Sequence, residues 1–131
     1  MSQENVGLVH DLAEAVNRGD LDWLLAHADE ELEFIPLRAG TEGSFRGPEG
    51  LRRYMEDTQE SFDIFEVSLN DVRAVGDKAV GCGTLRLRGR GSGIETEVTT
   101  AAVARFRQGR LLHFKDYGDR AEALEAAGLS E

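Results

Sequence analysis

The stretch that decides the fold reads GRLLHFKDYGD and spans residues 109–119. It begins at a turn glycine, continues as a strand and ends where Asp119 can cap a last helix. The alternation of a strand places Leu112, Phe114 and Asp116 on one face. Asp116 therefore shares a face with two apolar residues. If that face is buried, the carboxylate needs either a partner or a chemical role.

The chain before this stretch divides into a helical part and a strand part. Period-two patterns indicate long strands, with turns at Gly76-Asp77 and Gln108-Gly109. The first of these strands is 65–75, which combines Phe65–Leu69 and Val72–Val75. The next two are Lys78–Arg90 and Ile94–Arg107. Helical spacing comes first along the chain. It predicts helices at Gln3–Arg18, Leu21–Ala28 and Gly47–Ser61, a brief strand at Leu32–Pro36, a loop at Leu37–Phe45 and a final helix at Arg120–Ala127.

Helices that precede a long antiparallel meander are typical of the α+β class, in contrast to alternating βαβ units. A chain of 131 residues is the size of one domain with room for a core and a cavity. We therefore predict a single domain that spans residues 1–131.

Composition narrows the function classes. A net charge of −10 argues against nucleic-acid binding. The apolar runs are too short to span a membrane, and the N-terminus lacks the features of a signal peptide. A lone cysteine, Cys82, excludes an intrachain disulfide, and the three histidines lack metal-ligand spacing. We expect a cytoplasmic protein without a metal or other cofactor.

The strand Lys78–Arg90 is open to two interpretations. One face carries Arg86 and Arg88, and the other carries Leu85 and Leu87. In the first interpretation the leucines pack in the core and the arginines face solvent. In the second, the arginines face a polar pocket and the leucine face is an outer surface used for dimerisation.

Two acidic residues could pair with inward arginines. These are Asp116 in the last strand and Glu33 in the first. An arginine beside such a carboxylate would keep it ionised and orient it. The same pair could be purely structural, because buried ion pairs are weak evidence for function.

Four short motifs occur in order along the chain and together resemble a known family. They are NRGDLD at 17–22, ADEE at 28–31, FRGPEGL at 45–51 and DYGD at 116–119. The set is similar to the nuclear transport factor 2-like superfamily, and within it to the SnoaL-like group. The resemblance covers nearly the whole chain.

This resemblance implies a cone-shaped fold. A curved antiparallel sheet would pack against the N-terminal helices and enclose a pocket, with dimerisation through the outer sheet face. It favours the second interpretation of the arginine strand. Arg86 and Arg88 would point inward, whereas Leu85, Leu87, Ala101 and Val103 would point outward.

The catalytic sets of this superfamily are only partly present. By this resemblance, the ketosteroid isomerase tyrosine falls on Leu12, its base on Ile35 and its acidic donor on Ala102. None of these three residues can take the catalytic role, so that mechanism is lost. The limonene-epoxide hydrolase set matches Arg86 and Asp116, but its other aspartate falls on Arg88, which cannot accept a proton. Epoxide hydrolysis would therefore need Glu33 as the second acid or base. By position, Asp116 is the candidate acid of a SnoaL-like cyclase.

The sequence thus predicts a small-molecule-binding protein of proton-transfer type. Asp116, Arg86 and Glu33 are the candidate catalytic residues, and Arg88 would hold an anionic or carbonyl group. Trp23, Phe34, Tyr54 and Phe114 would form the apolar wall. Two inward arginines favour a carboxylated or polyoxygenated ligand. The alternative is a non-catalytic dimerisation or partner-docking module. A cavity of several hundred cubic ångströms with convergent polar groups would favour the first prediction.

Overall fold

The computed structural model describes residues 2–37 and 44–129. Within these ranges the chain forms four helices and six strands. The helices are α1 (Ser2–Arg18), α2 (Leu21–Ala26), α3 (Gly47–Ser61) and α4 (Arg120–Ala126). The strands are β1 (Ala28–Ile35), β2 (Phe45–Arg46), β3 (Phe62–Val75), β4 (Lys78–Gly89), β5 (Glu95–Arg107) and β6 (Arg110–Asp116). Most of the loop predicted at Leu37–Phe45, positions 38–43, lies outside the described residues.

Local sequence signals explain where the helices begin. Asp20 caps α2 by accepting a hydrogen bond from the Trp23 backbone N–H at 3.1 Å. Asp119 caps α4 in the same way, with the Ala121 N–H as donor at 3.2 Å. Pro48 lies in the first turn of α3, where its missing N–H has no consequence. These predicted helix starts are confirmed.

Two strands are longer than predicted. β1 begins at Ala28 and not at Leu32. β3 runs without interruption from Phe62 to Val75, with a shift in its pairing to β4 between Leu69 and Asp71. Such a bulge accommodates an extra residue and bends the strand without ending the ladder.

The six strands form one curved, unclosed sheet in the order β2-β1-β6-β5-β4-β3. The pairs β3–β4, β4–β5 and β5–β6 are antiparallel, as a meander requires. The pair β1–β6 is parallel and is the exception among the described strand pairs of the predicted antiparallel sheet. No tight turn joins these two strands, and their relative direction is therefore not fixed by a hairpin. The α+β class and the packing of N-terminal helices on a curved sheet are confirmed.

The two faces of the sheet bury different clusters. The inner face, defined here as the face toward α1–α3, carries the larger core, which includes Leu32, Phe34 and Ala104. The outer face is the opposite one. There Val80, Cys82, Ala101 and Val103 pack under α4, whose Leu124 is only 1% exposed. The C-terminal helix therefore covers part of the outer face. No helix in the described ranges is long and apolar enough to cross a membrane.

The alternation predicted for β6 holds at its end but not at its start. Phe114 and Asp116 lie on the inner face, opposite Ala104 and Ala102 of β5. Near the start of the strand the register shifts, because Leu111 pairs with Phe106 across a bulge. Leu111 is consequently buried in the inner core, where alternation had placed Leu112.

Candidate functional site

A cavity of about 330 Å³ lies between the inner face and the helices. Its described lining is almost entirely apolar. α1, α2 and α3 contribute Val9, Leu12, Ala13, Val16, Leu24, Leu51, Tyr54 and Met55. The strands and adjoining residues contribute Phe34, Pro36, Leu37, Phe62, Phe65, Val67, Leu69, Gly81, Leu85, Leu87, Val98, Thr100, Ala102, Ala104, Phe114 and Asp116. A cavity of this size is at the lower end of the range for small-molecule sites.

Asp116 is the one ionisable carboxylate in this described lining. Its Oδ2 accepts a hydrogen bond from the Thr100 hydroxyl at 2.5 Å. Its Oδ1 accepts from the backbone N–H groups of Ala101, at 3.1 Å, and Gly118, at 2.9 Å. A carboxylate has about four lone-pair sites, so roughly one stays available for a molecule in the cavity.

Thr100 is a site residue that the sequence analysis missed. It is 7% exposed and lines the cavity beside Asp116. A signal was available, because antiparallel pairing of β5 and β6 places Ala102 opposite Asp116. Thr100 is then a diagonal neighbour on the same face, within reach of a short side chain. A hydroxyl side chain on the same face as Ala102 and Ala104 is the feature that could have pointed to it.

Three of the four predicted wall aromatics do line the cavity. The rings of Phe34 and Phe114 stack with their centroids 4.7 Å apart, and Tyr54 meets Phe34 edge-on at 4.9 Å. Trp23 is not in the described lining, and its predicted place there is wrong. It stacks instead on His27, 3.9 Å away, because the next turn of chain brings that ring against it.

The arginines of β4 point to the outer face, which corrects the predicted inward orientation. Arg86 forms salt bridges with Glu66 at 3.4 Å and Glu95 at 3.0 Å, and its side chain is 44% exposed. Arg88 makes a two-pronged contact with Asp63, at 2.8 and 3.4 Å, and lowers the pKa of that carboxyl. Neither arginine is a described lining residue. The expected Arg86–Asp116 pair is not formed.

Leu85 and Leu87 line the cavity, so the first of the two interpretations of β4 is the correct one. The physical reason is strand pairing. Leu85 lies opposite Val67 and Val98, and these three side chains share the inner face. Ala101 and Val103 do face away from the cavity, as predicted, but α4 covers them.

Glu33 also lies away from the cavity. Its neighbour Phe34 points inward, so alternation turns Glu33 to the other side of β1. There it contacts Arg46 at 3.3 Å and His113 Nε2 at 3.5 Å. The candidate second acid therefore does not meet Asp116.

The resemblance also assigned isomerase and epoxide hydrolase positions to residues of this chain. Leu12 and Ala102, which replace the isomerase tyrosine and acidic donor, both lie in the cavity wall as apolar residues. The epoxide hydrolase set keeps only Asp116 in the cavity, since Arg86 and Arg88 are outside it. In the described ranges no three His, Cys, Asp or Glu side chains are grouped so that they could hold a metal ion.

Comparisons with known proteins agree with this architecture. Residues 9–114 match the family described as the SnoaL-like domain. No curated protein matches the chain. A nuclear transport factor 2-like protein of unknown function from Burkholderia pseudomallei is 22% identical, with a TM-score of 0.79 over 95% of this chain and 97% of that one. A similar protein from Burkholderia xenovorans is 24% identical, with a TM-score of 0.75 over 97% and 98% of the two chains.

A structure named as an LEH-like epoxide hydrolase from M. tuberculosis is 18% identical. Its TM-score is 0.77, over 96% of this chain and 90% of that chain. At these identities the likeness concerns the fold.

Proposed function

The chain belongs to the SnoaL-like domain family, and we propose that it binds a small, mainly apolar organic molecule in the cavity above the inner face. Asp116 holds the polar end of this molecule and exchanges a proton with it. The reaction class that fits is isomerisation or ring closure through proton transfer at an acidic C–H or O–H group of the ligand.

The observation that carries this proposal is one carboxylate in a described lining that is otherwise almost wholly apolar. Such a cavity binds through burial of apolar surface, with a few polar groups that fix orientation. The expectation of a carboxylated ligand rested on inward arginines. With Arg86 and Arg88 on the outer face, a carboxylate in the cavity would meet the charge of Asp116 and no compensating cation among the described lining residues.

The surroundings of Asp116 suit a proton acceptor that keeps its position. Two backbone N–H groups and the Thr100 hydroxyl fix the carboxylate plane, and the remaining lone pair accepts from the ligand. The same group returns the proton to another atom of the ligand. Preorganisation of this kind lowers the cost of reaching the reactive geometry.

Hydrolysis receives less support than isomerisation or ring closure. Activation of water for attack on an epoxide would need a further acid–base residue that cooperates with Asp116. Glu33, the candidate for that role, is on the other side of β1 and contacts Arg46. Hydrolysis therefore lacks its second participant in the described cavity.

Binding of a neutral probe tests the proposal. Phenylbutanol combines an aromatic ring, a short alkyl chain and one hydroxyl donor, and calorimetry should detect its binding to the wild type. The Ala102→Leu variant adds bulk to the cavity wall next to Asp116 and should abolish this binding. Glu97→Gln on the exposed side of the same strand is the matched control and should bind as the wild type does. Equal binding by all three proteins would contradict a cavity site.

Self-association through the outer face is a separate proposal. The apolar support expected from Leu85 and Leu87 is lost, since both point inward. The exposed part of the outer face instead carries Glu66, Arg86 and Glu95 in one ion-pair network. A dimer through this surface would be polar, and sedimentation velocity at low and high salt would detect it as a salt-sensitive species.

A further inference from the structure

We infer that the preferred ligand is a hydrophobic cation, a protonated amine on an apolar skeleton, whose charge lies against Asp116. This inference rests on the apolar binding site of the proposed function, and it identifies the polar end that Asp116 holds as an ammonium group. It depends on three observations: the neutral partners of Asp116, the aromatic rings beside it and the charge of the chain.

The first observation is that the described hydrogen-bond partners of Asp116 are all neutral. Its three described donors are a hydroxyl and two backbone N–H groups. No lysine or arginine of the described ranges forms a salt bridge with it. A cation in the cavity would add a charge-assisted hydrogen bond, which is roughly twice as strong as a neutral one.

The arginines on the neighbouring strands have partners elsewhere. Arg86 contacts Glu66 and Glu95, and Arg88 contacts Asp63. Two others point away from the cavity as well: Arg105 pairs with Asp77 at 2.6 Å, and Arg107 pairs with Asp29 at 2.9 Å. In an apolar environment, a nearby positive charge stabilises a carboxylate. These arginines do not supply that charge at Asp116, so we expect the ligand to supply it.

The second observation is the position of the aromatic rings. Phe114 lies two residues before Asp116 on the same face of β6, roughly 7 Å along the strand. It stacks with Phe34, and Tyr54 borders the same group. Ring faces attract alkylammonium groups, and the attraction is strongest where water is excluded. The carboxylate and these rings together can accommodate both the charge of an amine and its hydrocarbon substituents.

The third observation is the net charge of −10. The field of an acidic protein raises the local concentration of cations and lowers that of anions. An anionic ligand is therefore disfavoured both at long range and at Asp116. A neutral alcohol meets no repulsion, but it gains only a neutral-donor hydrogen bond.

Three probes that share one skeleton test the charge preference: phenylbutylamine, phenylbutanol and phenylbutanoate. At pH 7 the amine is protonated, because alkyl amines titrate near 10. Calorimetry at fixed ionic strength should show the amine binding about tenfold tighter than the alcohol, and the carboxylate weakest. In Asp116→Asn the amine and alcohol affinities should become equal within about threefold, because only the charge term is removed.

The outcomes separate the two proposals. If the alcohol binds the wild type as tightly as the amine, the cation inference is wrong and the proposed apolar site stands. If none of the three probes binds, the proposed function is itself wrong. Ala102→Leu, with its added bulk beside Asp116, controls for amines that collect on the acidic surface. Unchanged amine affinity in that variant would place the amine outside the cavity and overturn the inference.

Discussion

At the scale of single residues, the three hydrogen bonds that Asp116 accepts should stabilise the folded protein. Asp116→Ala would remove the acceptor of the Ala101 and Gly118 N–H groups and of the Thr100 hydroxyl. Unpaired donors in a partly buried site cost about 1–3 kcal/mol, and we expect a loss of unfolding free energy in this range. Urea denaturation at pH 7 measures it.

Asp116→Asn is the matched variant. The amide oxygen can still accept from both backbone N–H groups, and the Thr100 hydroxyl can turn to accept from the amide nitrogen. We expect a loss below about 1 kcal/mol. If Asp116→Asn unfolded as readily as Asp116→Ala, the hydrogen bonds would not explain the position of this side chain.

Substitution of Arg86, in contrast, should have little effect on stability. Its ion pairs with Glu66 and Glu95 are half-exposed, and such surface pairs contribute about 0–1 kcal/mol each. Arg86→Gln should therefore change the melting temperature by a few degrees at most and leave probe binding unchanged. A complete loss of ligand binding in this variant would contradict the outward orientation of the side chain.

The same residue shows where sequence reasoning failed. The alternation of β4 correctly separated Arg86 from Leu85, but it could not say which face was buried. Composition alone favoured buried leucines, and the structure agrees. The family resemblance pointed the other way, because a motif match aligned Arg86 with a catalytic arginine. Side-chain chemistry was the better guide, since burying two unpaired arginines costs far more than burying two leucines.

At the scale of elements, the backbone of β3 lies close against Gly83 of β4. A Cβ atom at this position would overlap the Ser68 carbonyl oxygen and lie 2.8 Å from Leu69 Cα, at the bulge of β3. Backbone atoms cannot give way as a flexible side chain can. We expect Gly83→Ala to cost at least about 3 kcal/mol in urea denaturation.

Gly81→Ala is the matched control on the same strand and face. Its Cβ would lie 3.1 Å from Val9 Cγ1 of α1, a side-chain contact that can relax. The lost chain entropy of the unfolded state offsets part of this strain, so we expect a change below about 1 kcal/mol. Equal destabilisation by both substitutions would argue against the bulge as the cause.

Strand bulges explain why the side-chain alternation of some strand segments was predicted wrongly. Period-two patterns located β4, β5 and β6 to within a residue or two, because alternation survives wherever one face is buried. They failed at Leu111 and across Asn70, where a bulge shifts the register. The partner strand determines a bulge, so a pattern within one strand does not contain it.

At the scale of the whole molecule, the fold class could be predicted from the sequence, but the residues that contact Asp116 could not. Helical spacing followed by a meander suffices for α+β, and the aromatic wall of Phe34, Tyr54 and Phe114 was found from its apolar character. The position of Thr100 next to Asp116 depends on contacts between strands, and so does the separation of Arg86 from Asp116. Those contacts follow from the register across the whole sheet.

The many aspartate–arginine pairs of the chain predict how its stability depends on pH. Hydrogen bonds from arginines lower the pKa of Asp29, Asp63, Asp71 and Asp77 below the ordinary value of 3.8. Three of these pairs link separate strands or a strand to a turn, and the Asp71–Arg120 pair links β3 to α4. A carboxyl with a lower pKa in the folded state binds its proton more readily when unfolded, so acid favours unfolding.

The stabilisation from these groups is therefore present above pH 3.8 and is lost as the pH falls through their folded-state values. We expect the free energy of unfolding, from urea titrations, to be nearly level between about pH 7 and 5 and to fall steeply below about pH 4. Asp29→Asn removes the pair with Arg107 at 2.9 Å. This variant should be less stable at neutral pH, with a shallower decline in acid because one proton-binding group is gone. A decline as steep as that of the wild type would mean that Asp29 does not contribute to the acid sensitivity.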